Sequence, residues 1–166
     1  PGARPSGHFM RRPRRGFTLL EMIVVIAIGG ILASIAILAF STVRGQLATR
    51  SAQSNFLSMH AQARAIAVER GALSRFIVDD AAGEVRVEFG ADVIDRLSLA
   101  DEFGVTVNSE GGFTQCFTPR GIAQLSGAGA CSTISANQAT NVTFTAGNRT
   151  TRVEVLPFGQ ARAIAP

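Results

Sequence analysis

The sequence predicts an α+β protein: a long N-terminal helix, transmembrane in its first half and amphipathic in its second, packed on an antiparallel β-sheet domain. Three observations carry this. Residues 22–43 contain no charged side chain. From Ala48 to Ile66 apolar residues recur at intervals of three and four, and beyond Gly71 the period changes to two. The 166 residues, 46% apolar and 17% charged, fit one domain plus a tail and exclude a disordered or collagen-like chain. All sixteen basic residues are Arg, and Arg4, Arg11, Arg12, Arg14 and Arg15 fall in the first fifteen positions, where there is no acid. Eleven Arg then face twelve acids in the remainder, so a uniformly basic nucleic-acid binder is not indicated. With no Tyr, no Trp and only His8 and His60, few groups are available for acid–base chemistry near neutral pH.

The charge-free run, as a helix, spans roughly 33 Å, enough to cross a bilayer. It lacks a polar face: before Ser41 the interruptions are Ser34 and the pair Gly29–Gly30. The Arg cluster ahead of it, against Arg44 alone just behind, places the N-terminus in the cytoplasm and the rest of the chain outside. A cleaved secretory signal shares the basic front and the apolar run, with Ser34-Ile35-Ala36 as its cleavage site. Two features oppose it. Apolar residues continue through Ile37, Leu38, Ala39 and Phe40, and Glu21 stands where the run begins, a costly place for a carboxylate without a partner.

The octet Arg14-Arg15-Gly16-Phe17-Thr18-Leu19-Leu20-Glu21, followed by the apolar run, resembles the prepilin processing and methylation motif of type IV pilins and type II secretion pseudopilins. The resemblance implies that a prepilin peptidase cuts after Gly16 and methylates the new N-terminal Phe17, and that Glu21 acts in assembly. Pairing a new α-ammonium with a neighbouring subunit's carboxylate inside a filament would remove two desolvation penalties and fix register. The expected divisions are a basic leader, residues 1–16; a transmembrane and filament-core helix, residues 17–43; and a periplasmic globular domain, residues 44–166. Met10 is the expected translation start. Many relatives carry a proline well inside the apolar helix, and here none occurs between Pro13 and Pro119. Gly29–Gly30 supplies either a meltable turn or a close packing surface.

Past the membrane, Ala48, Ala52, Phe56, Met59, Ala63 and Ile66 form a stripe that should dock on a sheet, with His60 beside it as an ordinary buried histidine. Gly71 stops the helix, with Arg70 in the last turn where the dipole favours a cation. Val85, Val87 and Phe89 alternate with Glu84, Arg86 and Glu88, the pattern of a half-buried strand. Residues 76–78, 105–107, 113–117, 142–145 and 152–156 read as further strands, Ala146-Gly147-Asn148-Arg149 as a hairpin turn, and 121–135 as a loop rich in Gly, Ala and Ser.

Cys116 and Cys131 bracket that loop, and outside a bacterial inner membrane the compartment is oxidising, so a disulfide is expected. Two Cys and a distant His do not make a zinc site. Within the pilin superfamily the outer region resembles the GspH/FimT group, through Phe117-Thr118-Pro119-Arg120-Gly121 and the ending Arg152-Val153-Glu154-Val155-Leu156-Pro157-Phe158-Gly159-Gln160-Ala161-Arg162. That resemblance implies a minor pseudopilin, type II secretion system protein H, at or near the tip of a periplasmic filament. The FimT branch implies DNA binding in natural transformation through a Gly-Arg-x-Arg ending. The corresponding Gly159-Gln160-Ala161-Arg162 lacks the first arginine, leaving Arg149, Arg152, Arg162 and Arg120 as candidates for phosphate contact.

The expectation is a non-enzymatic structural subunit of the inner membrane, with no cofactor or metal and no catalytic residues. Its partners are the prepilin peptidase, other major and minor pseudopilins and, under the alternative alone, nucleic acid.

Overall fold

The computed structural model describes residues 16–124, 131 and 139–164. The expected leader and start at Met10 lie outside the described residues, except Gly16, as does most of the 121–135 loop. The chain divides into two compact units, residues 1–39 and 40–166.

Helix α1 covers Leu19–Arg70. It begins where Thr18 caps it: the Glu21 N–H donates to Thr18 Oγ1 at 3.2 Å, and Thr18-x-x-Glu21 has the sequence of a capping box. It ends, as expected, at Gly71, whose φ of 63° suits a residue without a Cβ. The first unit is this helix's apolar segment. Leu19–Ala36 is long and apolar enough to cross a membrane, and none of its residues is buried.

In the second unit α1 is followed by β1 (Ser74–Asp79), β2 (Glu84–Phe89), β3 (Asp92–Ser98), α2 (Leu99–Phe103), β4 (Thr106–Asn108), β5 (Phe113–Phe117), β6 (Thr140–Ala146), β7 (Arg149–Val155) and β8 (Ala161–Ile164). The expected single sheet is two: a four-stranded sheet ordered β3-β2-β1-β5 and another ordered β4-β6-β7-β8, each antiparallel throughout. Their inner faces share one core with α1. Phe56, wholly buried, explains the arrangement. Its ring meets Phe76 of the first sheet at 5.2 Å and Phe144 of the second at 5.4 Å, both edge-on, so one helix stripe closes both sheets. Hydrogen bonds fix the helix against them: Gln53 Nε2 donates to the Arg152 carbonyl at 2.7 Å, and Ser74 Oγ to the Ala63 carbonyl at 2.6 Å.

Three elements depart from the expected set. In β3, Glu88 faces Val93 while Val87 faces Asp95, so Ile94 is an extra residue and the alternation breaks. α2 is five residues long, too short for periodicity, yet Ser98 caps it and Gly104 ends it at φ 64°. β8 is four residues, of which Ala161 packs against the core and the other three are exposed, so it shows no alternation of buried bulk. The expected β6–β7 hairpin is present, turning at Gly147 and Asn148.

Candidate functional site

Gly16 and Phe17 lie outside regular structure, immediately before the cap of α1, and Phe17 is 73% exposed. An unpaired backbone next to a fixed helix end is accessible to a protease. A cut after Gly16 would put an α-ammonium at residue 17, one position before the helix cap, where the positive end of the dipole disfavours it. Glu21 stands in the first turn of the same helix, so a carboxylate is on hand to offset both that charge and the dipole. Thr18 therefore has a structural role that the octet alone did not disclose, although the Thr-x-x-Glu spacing was readable.

Behind this end the apolar side chains point into open space: Leu19, Leu20, Ile26, Ile31 and Leu32 each expose 61–78% of their surface. Ser34 is satisfied inside the helix, its hydroxyl donating to the Gly30 carbonyl at 2.9 Å. A Cβ on Gly29 or Gly30 would meet nothing within 4 Å. No contact within the described residues requires glycine there, which leaves backbone melting or the approach of another helix.

Cys116 and Cys131 form a disulfide with Cα atoms 5.7 Å apart, closing a sequence separation of 15 residues. Cys116 is buried on β5, so the bridge ties the segment after β5 to the first sheet.

The candidate phosphate contacts are dispersed. Arg149 begins β7, its stem against Gly45 of α1. Arg152 stands on the outward face of the second sheet among Asn141, Thr143 and Thr145. Arg162 is bonded to Glu154, its partner across the β7–β8 rungs. Arg120 occupies the turn after β5, where Gly121 packs against Arg64. Arg152 and Arg162 share a face; Arg149 and Arg120 lie elsewhere.

Two polar groups missed at the sequence level hold the second unit together. Asp80 Oδ2 accepts from the backbone N–H groups of Ser109, Gly111 and Gly112 at 2.7, 2.9 and 3.1 Å, and Oδ1 accepts from Ser109 Oγ at 2.8 Å. Burial pushes its carboxyl up, but the bonds from Ser109, Gly111 and Gly112 outweigh that and hold it below its usual 3.8. Gln115 Nε2 donates to the Leu156 carbonyl at 3.1 Å, so its Oε1 accepts from His60 Nε2 at 2.8 Å. His60 lies edge-on to the rings of Phe76 and Phe117. Burial lowers its pKa from 6.5, the Gln115 bond pulls it back in part, and the Arg64 charge lowers it further. It is a satisfied core histidine, as expected.

Residues 11–37 match the family model described as the prokaryotic N-terminal methylation motif. No curated protein matches the chain. Among solved structures, the type IV minor pilin FimU of Pseudomonas aeruginosa (strain PAO1) is similar at 12% identity with a TM-score of 0.50, covering 70% of this chain and 92% of that one. The chain thus carries the prepilin methylation motif on a type IV pilin-like fold, a long apolar helix followed by an antiparallel sheet domain.

Proposed function

We propose that this chain, a type IV pilin-like protein by motif and fold, is a non-enzymatic minor subunit of a membrane-anchored filament. One observation carries the reading: α1 leaves residues 19–36 without any cover of its own, directly behind a Gly16-Phe17 junction and a first-turn Glu21. A soluble domain would lose heavily by exposing such a surface, at about 25 cal/mol per Å². A bilayer covers it first and neighbouring helices later. Maturation consists of cleavage after Gly16 by a prepilin peptidase and methylation of Phe17. Assembly then transfers the apolar half of α1 from lipid to the filament core, with Glu21 paired to a neighbour's N-terminus. The globular unit faces the periplasm, held by a disulfide suited to that compartment.

The finer assignment is a minor pseudopilin of the type II secretion H class, supported by the Phe117–Gly121 and Arg152–Arg162 motifs. A pilus minor pilin is the second reading, favoured by the role of the similar FimU. DNA contact through Arg149, Arg152 and Arg162 belongs to that reading, and the commitment of Arg162 to Glu154 weighs against it.

The test is the N-terminus of mature chain from membranes: methyl-Phe17 is expected, and a chain keeping its Arg-rich front would overturn the reading. Glu21→Ala should insert normally and enter sheared filaments several-fold less. A gel shift of the detergent-solubilised chain with duplex DNA separates the two machines: retardation lost in Arg162→Ala selects the uptake role, and no retardation favours secretion.

A further inference from the structure

The β6–β7 turn is pressed against α1 at Gly45, just past the charge-free run. A Cβ on Gly45 would stand 3.3 Å from the Ala146 carbonyl and 3.6 Å from the Arg149 stem, so a side chain there would crowd the turn. Ala146 pairs with Arg149, and Gly147 at φ 60° takes the first of the two loop positions, as a tight hairpin requires. The turn is held at the level of residue 45.

Helix and turn border a groove of about 600 Å³, lined among others by Thr42, Arg44, Gly45, Phe103, Gly147 and Asn148. No acid among the described residues lines it. Arg44 and Arg149 are exposed and in no salt bridge among the described residues, and the Asn148 side chain is exposed beside them. Arg44 also lines a second groove, but that one holds Asp101 and Glu102. An anion is suited to the first and repelled by the second.

In a chain anchored in a membrane the first groove has a definite depth. A hydrocarbon core of about 30 Å takes about twenty residues of helix, and the headgroup layer takes about four or five more. Counted from Leu19, where α1 begins, that layer falls at about positions 39 to 43. A long side chain on a helix leans toward the N-terminus, so Arg44 reaches back into it. The contact at Gly45 brings Asn148 and Arg149 to the same level.

We propose that the groove between Arg44 and the β6–β7 turn binds the phosphate of an anionic phospholipid headgroup in the periplasmic leaflet. Arg44 and the Asn148 amide donate to the phosphate, Arg149 adds charge from the adjoining position, and Phe103 is the apolar wall. The contact seats the globular unit on the bilayer by its turn and is given up when the chain enters a filament. It rests on the membrane-anchored reading and holds for either kind of filament.

The test uses the full-length chain in vesicles of mixed phosphatidylcholine and phosphatidylglycerol. Thr150→Cys, exposed beside the turn, carries a fluorophore, and the quencher is trace phosphatidylglycerol or phosphatidylcholine, each spin-labelled near the top of one acyl chain. Quenching should be about three-fold or more stronger with phosphatidylglycerol, and the excess should vanish when Arg44→Gln and Arg149→Gln are added. Arg50→Gln, at an exposed arginine of α1 outside the groove, should leave it intact. A mass confirming the Cys116–Cys131 bridge verifies that each variant is folded. Equal quenching by the two lipids overturns the proposal, as does an excess that survives the double replacement. An equal loss in Arg50→Gln would make the attraction one of general charge and overturn the site. Inorganic phosphate should not displace the lipid; if it abolishes the excess, the groove takes free phosphate and the lipid assignment falls. A chain that resists alkaline stripping but shows no lipid preference overturns the headgroup site alone, whereas a chain stripped from the vesicles overturns the anchored reading itself.

Discussion

Asp80 gathers four hydrogen bonds onto one carboxylate, and with them it fixes the connection by which the chain passes from the second sheet back to the first. That connection is strained. Glu110 sits at φ 64°, and a Cβ on Gly112 would lie 2.7 Å from the Val78 carbonyl. Asp80→Ala should lower stability by about 1–2 kcal/mol, toward the lower part of the range for bonds to a charged acceptor because the carboxylate is only part-buried. Urea titration of the purified chain in detergent measures it, and an unchanged midpoint would remove Asp80 from the account. Nothing in the run Val78-Asp79-Asp80-Ala81 announces this role, since an acid at the end of a strand is ordinarily a solvated turn residue. The residues proposed for processing and assembly differ in kind: Gly16, Phe17 and Glu21 fall within one octet of the sequence, whereas the partners of Asp80 lie about thirty positions away.

Among elements, α1 was readable in full because its two halves carry different, long patterns and Gly71 ends it sharply. Strands β1, β2, β5, β6 and β7 were readable for the same reason. β3 was not, because its bulge destroys the period, and α2 was passed over although Ser98-x-x-Asp101 and Gly104 mark both of its ends. The division into two sheets depends on Phe56 touching both, a tertiary fact with no local trace. Two outcomes belong at this scale. Replacing Cys116 and Cys131 by Ser should cost about 3 kcal/mol in the loop-entropy picture, and intact mass should rise by about 2 Da on reduction of the parent. An unchanged melting curve would show that the bridge contributes nothing. In α1, Gly29→Ala with Gly30→Ala meets no steric barrier within the chain and gains about 2 kcal/mol of helix propensity. If packing against another helix requires the glycines, filament incorporation falls while membrane insertion holds. If incorporation is unchanged, close approach at these positions is excluded.

For the whole molecule, the two depressed pKa values combine into an acid profile with two separated steps. His60 binds its proton less readily folded than unfolded, so between its usual 6.5 and its lower folded value the unfolded chain holds more protons. Stability is complete above about pH 6.5 and falls as pH drops through that window. Asp80 acts further down by the same sign. Its contribution is present above 3.8 and is lost as pH falls toward its depressed folded value. Arg64 is the charged group that opposes protonation of His60; the other facing groups, Gln115, Phe76 and Phe117, are neutral. His60→Leu should remove the upper step and keep the lower one. Its absolute stability will also drop, because Gln115 Oε1 loses its donor at a cost of about 1–3 kcal/mol, so the slope against pH is the quantity to read. Chemical denaturation of the parent, His60→Leu and Asp80→Ala between pH 7.5 and 3 supplies all three slopes. A parent whose stability is flat from pH 7 to 5 would mean that His60 takes up its proton as easily folded as unfolded, and that its place between two aromatic rings costs the cation nothing.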